Sequence, residues 1–384
     1  MMKPLRVLSV FGTRPEAVKM APIIRALRQA SGIESLVCVT AQHREMLDQV
    51  LKLFEIVPDV DLDLMQPNQS LAGITAEIFV HLDPVLKEMK PDWVLVQGDT
   101  TTAMAASILA YYNQIRIGHV EAGLRTQNKW QPFPEEVNRR IVGVVADLHF
   151  APTEWSRQNL LREGVPSEII QVTGNPVIDA LNYVIEKPLT PEVILLLNQL
   201  GMPLDPESTT EQRFILVTAH RRENFGQPLI DICTALLKLV EIYGDTIQIV
   251  YPVHLNPNVQ EPVYRLLGNS RSIHLLPPLD YLPLVQVLKR SYLVLTDSGG
   301  IQEEAPGLGK PVLVLRSVTE RPEGVEAGTV RTVGTNIEKI VAETSQLLNK
   351  KEAYLKMAHA VNPYGDGRAS GRIVTALLAN ASEA

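Results

Sequence analysis

Short apolar runs alternate with amphipathic stretches along the first half of the chain. The apolar runs are rich in β-branched residues and end at Gly, Pro or polar residues, which is typical of buried strands. They are Leu5–Phe11, Leu36–Thr40, Trp93–Gln97, Ile115–Val120 and Ile169–Thr173. Helical patterns lie between them and begin near Pro15, at Ser70 and after residues 100–102. This alternation predicts a parallel sheet with helices on both faces.

A second series of the same kind follows a proline-rich region at residues 187–213. Its predicted strands are Phe214–Thr218, Ile247–Tyr251, Tyr292–Thr296 and Pro311–Leu315. A length of 384 residues suits about two domains. We place the boundary near residues 175–190, which predicts domains at 1–180 and 181–364. No repeat of fixed period is visible, so the pattern indicates two similar architectures and not a solenoid.

Composition narrows the class of protein. The 36 basic and 43 acidic residues give a net charge of −7, which offers no basic field for nucleic acid. No apolar run approaches the roughly 20 residues that span a bilayer, and no signal-peptide pattern opens the chain. Cys38 and Cys233 lie in apolar patterns, which predicts a reducing compartment without disulfides. We therefore expect a cytoplasmic enzyme or binding protein without nucleic-acid or membrane partners.

Charged residues follow five of the predicted strands. Ligands of open α/β sheets bind beyond the carboxyl ends of the strands, so these segments are the candidate sites. They are residues 12–16, 98–102, 121–125, 219–224 and 297–304. Charged strand ends in both domains predict a ligand cleft between the domains.

The segment at residues 298–300, Ser-Gly-Gly, opens a predicted helix and could bind an anion through its backbone N–H groups. Glu304, one turn later, could accept hydrogen bonds from ribose hydroxyls. A plain helix cap is the alternative for this segment. His220 and the two arginines after it favour a phosphate site over a solvated basic face. Arg14 is a weaker candidate for phosphate binding, because no other basic residue adjoins it.

Three carboxylates are candidates for general acid–base chemistry. Asp99 and Glu121 each follow a strand, and Glu135 follows Pro134. Asp99 could instead be a helix cap, and Glu135 could be a first-turn acid that suits the helix dipole. The sequence does not show whether the three converge.

Several familiar signatures are missing from the sequence. No G-x-G-x-x-G follows the first strand, which counts against a nicotinamide cofactor. Residues 307–310 end in Gly-Lys, but Pro311 follows, so they form no Walker loop. The histidines show no metal-ligand spacing. We therefore expect neither a cofactor nor a metal.

Taken together, the motifs resemble the bacterial non-hydrolysing UDP-N-acetylglucosamine 2-epimerases. The matching segments run in order over almost the whole chain, which makes the joint match specific. They are residues 11–17 (FGTRPEA), 97–100 (QGDT), 119–125 (HVEAGLR), 134–139 (PEEVNR), 218–224 (TAHRREN), 297–304 (DSGGIQEE), 320–323 (ERPE) and 362–368.

This resemblance implies a GT-B-like fold of two Rossmann-like domains, with a last helix at 365–384 that crosses back to the first domain. It implies reversible conversion of UDP-GlcNAc to UDP-ManNAc through a glycal, for surface polysaccharide synthesis, by a homodimer. By the resemblance, UDP would be held by Arg14, His220, Ser298, Gly299, Gly300, Glu304 and Arg321. The chemistry would be carried by Asp99, Glu121, Glu135 and His220, with Lys19 and Arg139 assisting at the substrate.

Many bacterial members also bind a second UDP-GlcNAc beside the active site. The positions that resemble this allosteric site are Gln42, Arg222, His254 and Glu135. Glu45 and Asn68 depart from the usual Gln and Arg and make the local charge more negative. We therefore predict weak or absent activation by UDP-GlcNAc.

Three other functions stay open at this point. A hydrolysing epimerase would release free ManNAc and UDP. Such enzymes tend to carry Gly-Asp-Arg where this chain has Gly98-Asp99-Thr100, which favours the non-hydrolysing function. A GT-B glycosyltransferase would need an acceptor, and a UDP-sugar-binding module would not need three acids.

Overall fold

The computed structural model describes residues 3–40, 44–64, 69–208 and 212–381. The chain forms two compact units. The first comprises residues 1–182 and 364–384, and the second comprises residues 183–363.

The first unit contains a parallel sheet in the order β3-β2-β1-β4-β5-β6-β7. Its strands are β1 (Leu5–Phe11), β2 (Ile33–Val39), β3 (Val60–Asp61), β4 (Trp93–Gln97), β5 (Arg116–Val120), β6 (Leu148–Ala151) and β7 (Ile170–Val172). The order reverses between β1 and β4, so the sheet is doubly wound and this is its switch point. Buried side chains such as Leu8, Val94 and Ile117 pack one face of the sheet against helices.

The helices of the first unit begin where polar caps interrupt the apolar pattern. Thr13 and Glu16 form a capping box at the first helix, and Ser70 and Thr100 cap two others. The helices are α1 (Arg14–Gln29), α2 (Arg44–Leu53), α3 (Leu71–Met89), α4 (Thr101–Tyr112), α5 (Glu135–Val145), α6 (Glu154–Arg162), α7 (Pro176–Ile185, which ends in the second unit) and the last helix, α16 (Ala369–Ala379).

The last helix packs on the first unit. The backbone N–H groups of Ala369 and Ser370 donate to the Asp179 carboxylate at 3.1 and 2.8 Å. Backbone also meets backbone where the chain re-enters this unit, since a Cβ on Gly174 would lie 3.3 Å from both the Gly365 Cα and the Tyr364 oxygen. Gly174 has a φ of +88°, so glycine suits this position on two counts.

The second unit repeats the architecture with a parallel sheet in the order β10-β9-β8-β11-β12-β13. Its strands are β8 (Arg213–Thr218), β9 (Ile247–Pro252), β10 (Ile273–Leu276), β11 (Leu293–Thr296), β12 (Val312–Val314) and β13 (Val330–Thr332). Its helices are α8 (Pro191–Gln199), α9 (Gln227–Tyr243), α10 (Pro257–Leu267), α11 (Tyr281–Arg290), α12 (Gly299–Gly307), α13 (Pro322–Glu326), α14 (Ile337–Asn349) and α15 (Lys351–Ala358). The switch point lies between β8 and β11. Two apolar clusters, one around Ile215 and one around Leu216, fill the two faces of the sheet.

The prediction of two doubly wound parallel sheets is confirmed. The sequence pattern missed four strands, β3, β6, β10 and β13. β3 has two residues and β13 has three, and β6 follows the apolar end of α5 after two residues. In the part of the chain that the structure describes, no helix combines the length and the apolar character needed to cross a bilayer. The thiols of Cys38 and Cys233 are buried, and burial raises the pKa of each to about 12.

Candidate active site

The loops after β1, β4 and β5 lie side by side at the carboxyl edge of the first sheet. Gly12 is required at the start of the first loop, because a Cβ there would lie 2.1 Å from Thr40 Oγ1. The Glu16 carboxylate accepts hydrogen bonds from Gly12 N (3.1 Å), Thr13 N (2.8 Å) and Thr100 Oγ1 (2.6 Å). It therefore joins the β1 loop to the β4 loop. Burial raises the pKa of Glu16, although these hydrogen bonds oppose the rise.

Thr100 caps the helix that follows β4, since its Oγ1 accepts from Ala103 N at 3.0 Å. Asp99 is therefore not the cap of this helix, which was the alternative role considered for it. Arg139 Nη2 donates to Asp99 Oδ2, and Asn138 Nδ2 donates to the Asp99 carbonyl at 3.0 Å. The Asp99 side chain is 25% exposed, so it contacts solvent while it is held from one side.

The pKa of Asp99 is raised. Burial is the largest cause, the nearby Glu121 adds to the rise, and the positive charge of Arg139 opposes it. A carboxyl group with a raised pKa can hold a proton closer to neutral pH than an ordinary aspartate. Asp99 therefore has the position and the electrostatic environment of a general acid or base.

Glu121 combines an unusual backbone conformation with three side-chain donors on its carboxylate. Its backbone is left-handed, with a φ of +62°, an unfavourable conformation for a residue with a Cβ. Its buried carboxylate receives Lys19 Nζ at 2.5 Å and Asn175 Nδ2 at 2.9 Å on Oε1, and Gln97 Nε2 on Oε2. The ammonium and the two amide donors all favour the ionised carboxylate and fix its orientation.

Glu135 is the first residue of α5, and Arg139 lies one turn later. Residues four apart share a helix face, so Glu135 lies on the face that carries the Asp99 partner. Arg139 Nη1 also lies 3.3 Å from Glu136 Oε2, which is buried in the same helix. Asp99 therefore forms an ion pair with Arg139, and the negative charge of Glu121 influences the pKa of Asp99. Lys19 forms an ion pair with Glu121.

In the second unit, Asp297 organises the loop after β8. Its fully buried Oδ2 accepts from the backbone N–H groups of His220 and Arg221, each at 2.8 Å, and from Asn224 Nδ2 at 2.9 Å. His220 Nδ1 lies 3.6 Å from the other carboxylate oxygen. Burial lowers the pKa of His220, Asp297 opposes this, and Arg221 and His254 add to it. His220 and Arg221 are therefore fixed beside the switch point.

The first turn of α12 follows the neighbouring strand, β11. A Cβ on Gly299 would lie 3.6 Å from Arg321 Nη2 and 4.0 Å from Arg221 Nη2, so two guanidinium groups surround this helix N-terminus. Arg321 is buried and its Nε donates to Glu303 Oε1. Glu304 is buried in the next turn, with Oε1 3.5 Å from the Cβ position of Gly300. Backbone donors, a helix dipole and two arginines are groups that attract an anion, so this helix N-terminus is a candidate anion site.

Arg14 and the residues predicted for a second UDP-GlcNAc site lie in different parts of the chain. Arg14 is half-buried at the first position of α1, in the first unit. Arg222 is exposed in a short 3₁₀ helix at residues 222–224. The His254 ring stacks on the His220 ring, with centroids 5.3 Å apart and an angle of 9° between planes. Gln42 and Asn68 lie outside the described residues, and so does the side chain of Glu45.

Sequence reasoning missed four residues that hold the site in place. Gln97 and Asn175 contact Glu121, Asn138 contacts Asp99, and Glu303 contacts Arg321. Asn175 stands after a strand and before Pro176, a pattern that indicates a helix cap and gives no sign of its second contact. Among the described residues, no group of three or more His, Cys, Asp and Glu side chains could hold a metal ion.

The chain was compared with known proteins. The family model described as UDP-N-acetylglucosamine 2-epimerase matches residues 25–378. A Yersinia pestis protein named UDP-N-acetylglucosamine 2-epimerase is 57% identical over 374 residues, 97% of this chain and 98% of that protein. The crystal structure of the UDP-GlcNAc 2-epimerase from Neisseria meningitidis, bound to UDP-GlcNAc, is 52% identical with a TM-score of 0.90, and covers 98% of this chain and 100% of that one. The Methanocaldococcus jannaschii UDP-GlcNAc 2-epimerase, in complex with UDP-GlcNAc and UDP, is 32% identical with a TM-score of 0.81, at 98% and 100% coverage.

Proposed function

The chain belongs to the UDP-N-acetylglucosamine 2-epimerase family, and we propose that it interconverts UDP-GlcNAc and UDP-ManNAc without hydrolysing the sugar nucleotide. The observation that carries this proposal is the cluster of Asp99, Arg139, Glu121 and Lys19. A protein that only binds UDP-sugars has no need of a carboxyl group that pairs with a guanidinium and whose pKa is raised by burial and by a nearby acid. The anion site of the second unit supports a diphosphate ligand.

The reaction inverts C2, the sugar carbon that bears the acetamido group. Its proton is not acidic, because no ring carbonyl adjoins it. In the proposed scheme a base removes the C2 proton, and the electron pair of that C–H bond forms the C1–C2 double bond. The C1–O bond breaks, and its electron pair leaves with UDP. A glycal results. Protonation of C2 from the opposite face and return of UDP to C1 complete the inversion, and no oxidant is consumed.

The first unit supplies the acid–base groups in this proposal. Asp99 has a raised pKa, because burial disfavours its charge, so it keeps its proton to a higher pH than an ordinary aspartate and is suited to exchange a proton with the substrate. Glu121 receives an ammonium and two amide donors, which favours a fixed, ionised carboxylate that keeps Lys19 in place. Glu135, on the face of α5 that carries Arg139, is the further candidate proton carrier. His220 stays in the proposed catalytic set, as a neutral donor near the departing diphosphate.

The second unit supplies the binding site for UDP. Arg321, Arg221 and the N–H groups of residues 298–300 offer positive charge and hydrogen bonds where the leaving diphosphate gains charge. Glu304 is buried in the same helix and suits the ribose hydroxyls. Arg14 completes the proposed UDP set from the first unit, by the family resemblance. Arg222 and His254, with Gln42, stay predictions for a second UDP-GlcNAc site.

Incubation with UDP-GlcNAc in heavy water tests the proposal, with a proton NMR spectrum taken over time. We expect the signals of UDP-ManNAc to appear and both epimers to acquire deuterium at C2, because elimination exchanges that proton with an enzyme acid. Free ManNAc and UDP would instead indicate a hydrolysing enzyme. Turnover only after an acceptor sugar is added would indicate a glycosyltransferase. An epimer that fully retains the original hydrogen would refute elimination.

Three further properties stay predictions. A role in surface polysaccharide synthesis and a homodimeric state rest on the family resemblance. A cytoplasmic location is supported by the two buried thiols, which carry no disulfide.

A further inference from the structure

Asn175 connects two parts of the first unit that are distant in sequence. It follows β7 and precedes Pro176, the first residue of α7, and its side chain is buried. Its backbone N–H donates to the Tyr364 carbonyl at 2.7 Å, where the chain re-enters this unit. Its side chain reaches the Glu121 carboxylate at the end of β5.

The orientation of the Asn175 amide is fixed by its own helix. Val177 N–H donates to Asn175 Oδ1 at 3.1 Å, and only the oxygen of the amide can accept that hydrogen bond. The amide nitrogen is therefore turned toward Glu121 Oε1, 2.9 Å away. One planar group thus caps α7 with one end and donates to a proposed active-site carboxylate with the other.

The Glu121 carboxylate needs an external constraint of this kind. Its backbone has a positive φ, so local preference does not hold it there. Lys19 contacts the same oxygen as Asn175, but through a long side chain with many rotamers. A buried amide that is itself held by a helix N-terminus is a much stiffer donor. On the basis of the proposed function, we infer that Asn175 is a positioning residue that fixes the Glu121 carboxylate, and through it Lys19, for the epimerisation reaction.

Replacement of Asn175 by Asp separates this role from capping. Aspartate is as good a cap as asparagine, so α7 keeps its Val177 hydrogen bond. The oxygen that replaces Nδ2 lies about 3 Å from Glu121 Oε1 by analogy with the wild type, and two carboxylates at that separation do not both ionise readily. At low pH the new carboxyl group keeps a proton and donates to Glu121 as Asn175 does. At high pH it loses both the proton and the donor.

The experiment measures kcat/KM and kcat for wild type and Asn175→Asp from pH 5 to pH 9. We expect the ratio of variant to wild-type kcat to be highest at low pH and to fall by roughly tenfold or more as pH rises. Asn336→Asp is the matched control, because it adds the same charge at another Asn cap, one that accepts from Lys339 N on an exposed turn. Its ratio should not change with pH. An Asn175→Asp ratio that is equally independent of pH would overturn the inference.

A second variant and a second measurement complete the test. Asn175→Ser also keeps a capping side chain but is too short to donate to Glu121, so its kcat should be about tenfold lower at every pH while KM changes little. Stability offers a readout that does not need activity. A shared proton raises the folded-state pKa of the carboxylate pair, so Asn175→Asp should lose stability, relative to wild type, as pH rises through that pKa.

These outcomes separate the inference from the proposed function. Absence of UDP-ManNAc from the wild-type reaction would contradict the proposed function, while the stability profile still reports on the Asn175–Glu121 contact. Normal wild-type epimerisation with full activity in Asn175→Ser would contradict the inference alone. Unfolding of both variants under conditions where the wild type is folded would make Asn175 a structural residue, which also overturns it.

Discussion

A buried pair of histidines makes the stability of the first unit sensitive to acid. His149 lies on β6, packed edge-on against His119 with ring centroids 6.3 Å apart. Neither ring nitrogen of His149 has a hydrogen-bond partner among the described residues. Burial is the main reason that the pKa of His149 falls from 6.5 to about 4, and Arg125 contributes. The folded protein therefore holds this imidazole neutral in a range where the unfolded chain protonates it.

The direction in which stability changes with pH follows from the number of protons that the folded and unfolded states bind. A depressed folded-state pKa stabilises the protein fully above pH 6.5, and that stabilisation is lost as pH falls toward 4. Each pKa unit corresponds to 1.36 kcal/mol, so the shift of His149 amounts to roughly 3 kcal/mol between pH 7 and pH 4. His149→Leu removes this contribution. Whatever the leucine costs in packing, the stability of the variant relative to wild type should improve by roughly 3 kcal/mol over that range.

Tryptophan fluorescence is the suitable assay, because Trp93, Trp130 and Trp155 all lie in the first unit. We expect thermal unfolding followed by this signal to show that the Tm of the variant minus the Tm of wild type rises by roughly 6–12 °C when the pH is lowered from 7 to 4. Buried acids with raised pKa values shift both proteins alike. Burial and the neighbouring His149 lower the pKa of His119 to about 3, so the difference reports on the buried histidine pair.

His81→Leu on α3 is the control for this measurement. Its side chain is half exposed beside Glu77 and lacks the burial of His149, so the difference from wild type should change little with pH. A difference between His149→Leu and wild type that is constant from pH 7 to pH 4 would refute the reasoning, since burial would then not be what keeps the imidazole neutral.

Two further substitutions test the proposed site. Asp99→Asn keeps the shape of the side chain but removes its proton, so kcat should fall at least roughly a hundredfold while calorimetry shows unchanged UDP binding. A parallel loss of UDP affinity would make Asp99 a binding residue. Gly299→Ala should leave Tm unchanged, because its Cβ would make ordinary contacts at 3.6 and 4.0 Å, but should weaken UDP binding roughly tenfold by filling the space between the arginines. Gly371→Ala on α16, where a Cβ meets nothing within 4 Å, is the matched control and should bind UDP normally.

The fold could be predicted from the sequence because its strands are buried on both faces. Such strands are continuous apolar runs, and β1 and β4 have the bounds that the apolar pattern gave them. β3 and β13 could not be found this way, because β3 has only two residues and β13 has Arg331 between Val330 and Thr332, so neither forms a continuous apolar run. Their place depends on the neighbouring strand, which only the tertiary structure provides.

The candidate site was predictable to the extent that chemistry follows strand ends. Asp99, Glu121 and Ser298 stand one or two residues after a strand, and the sheet topology places such strand ends at one edge in each unit. The contacts between these groups were not predictable. Nothing in the sequence pairs Arg139 with Asp99 at a separation of 40 residues, or Lys19 with Glu121 at 102. Those pairings follow from the order of the strands in the sheet.

Two residues that cap helices in the structure also make a second contact at the site, and the sequence pattern gave no sign of that contact. Thr100 accepts from Ala103 N at the start of α4, and the same hydroxyl donates to Glu16, which forms the capping box of α1 with Thr13. Asn175 accepts from Val177 N and donates to Glu121. A capping hydroxyl or amide accepts a hydrogen bond from the helix through its oxygen and still has an O–H or N–H group that can donate to another residue. Because parallel strands deliver every helix N-terminus to the same edge of the sheet, those donor groups meet there. The residues that cap α1, α4 and α7 therefore also hold the loop of Asp99 and the carboxylate of Glu121. The positions of these two acids thus depend on the helix N-termini.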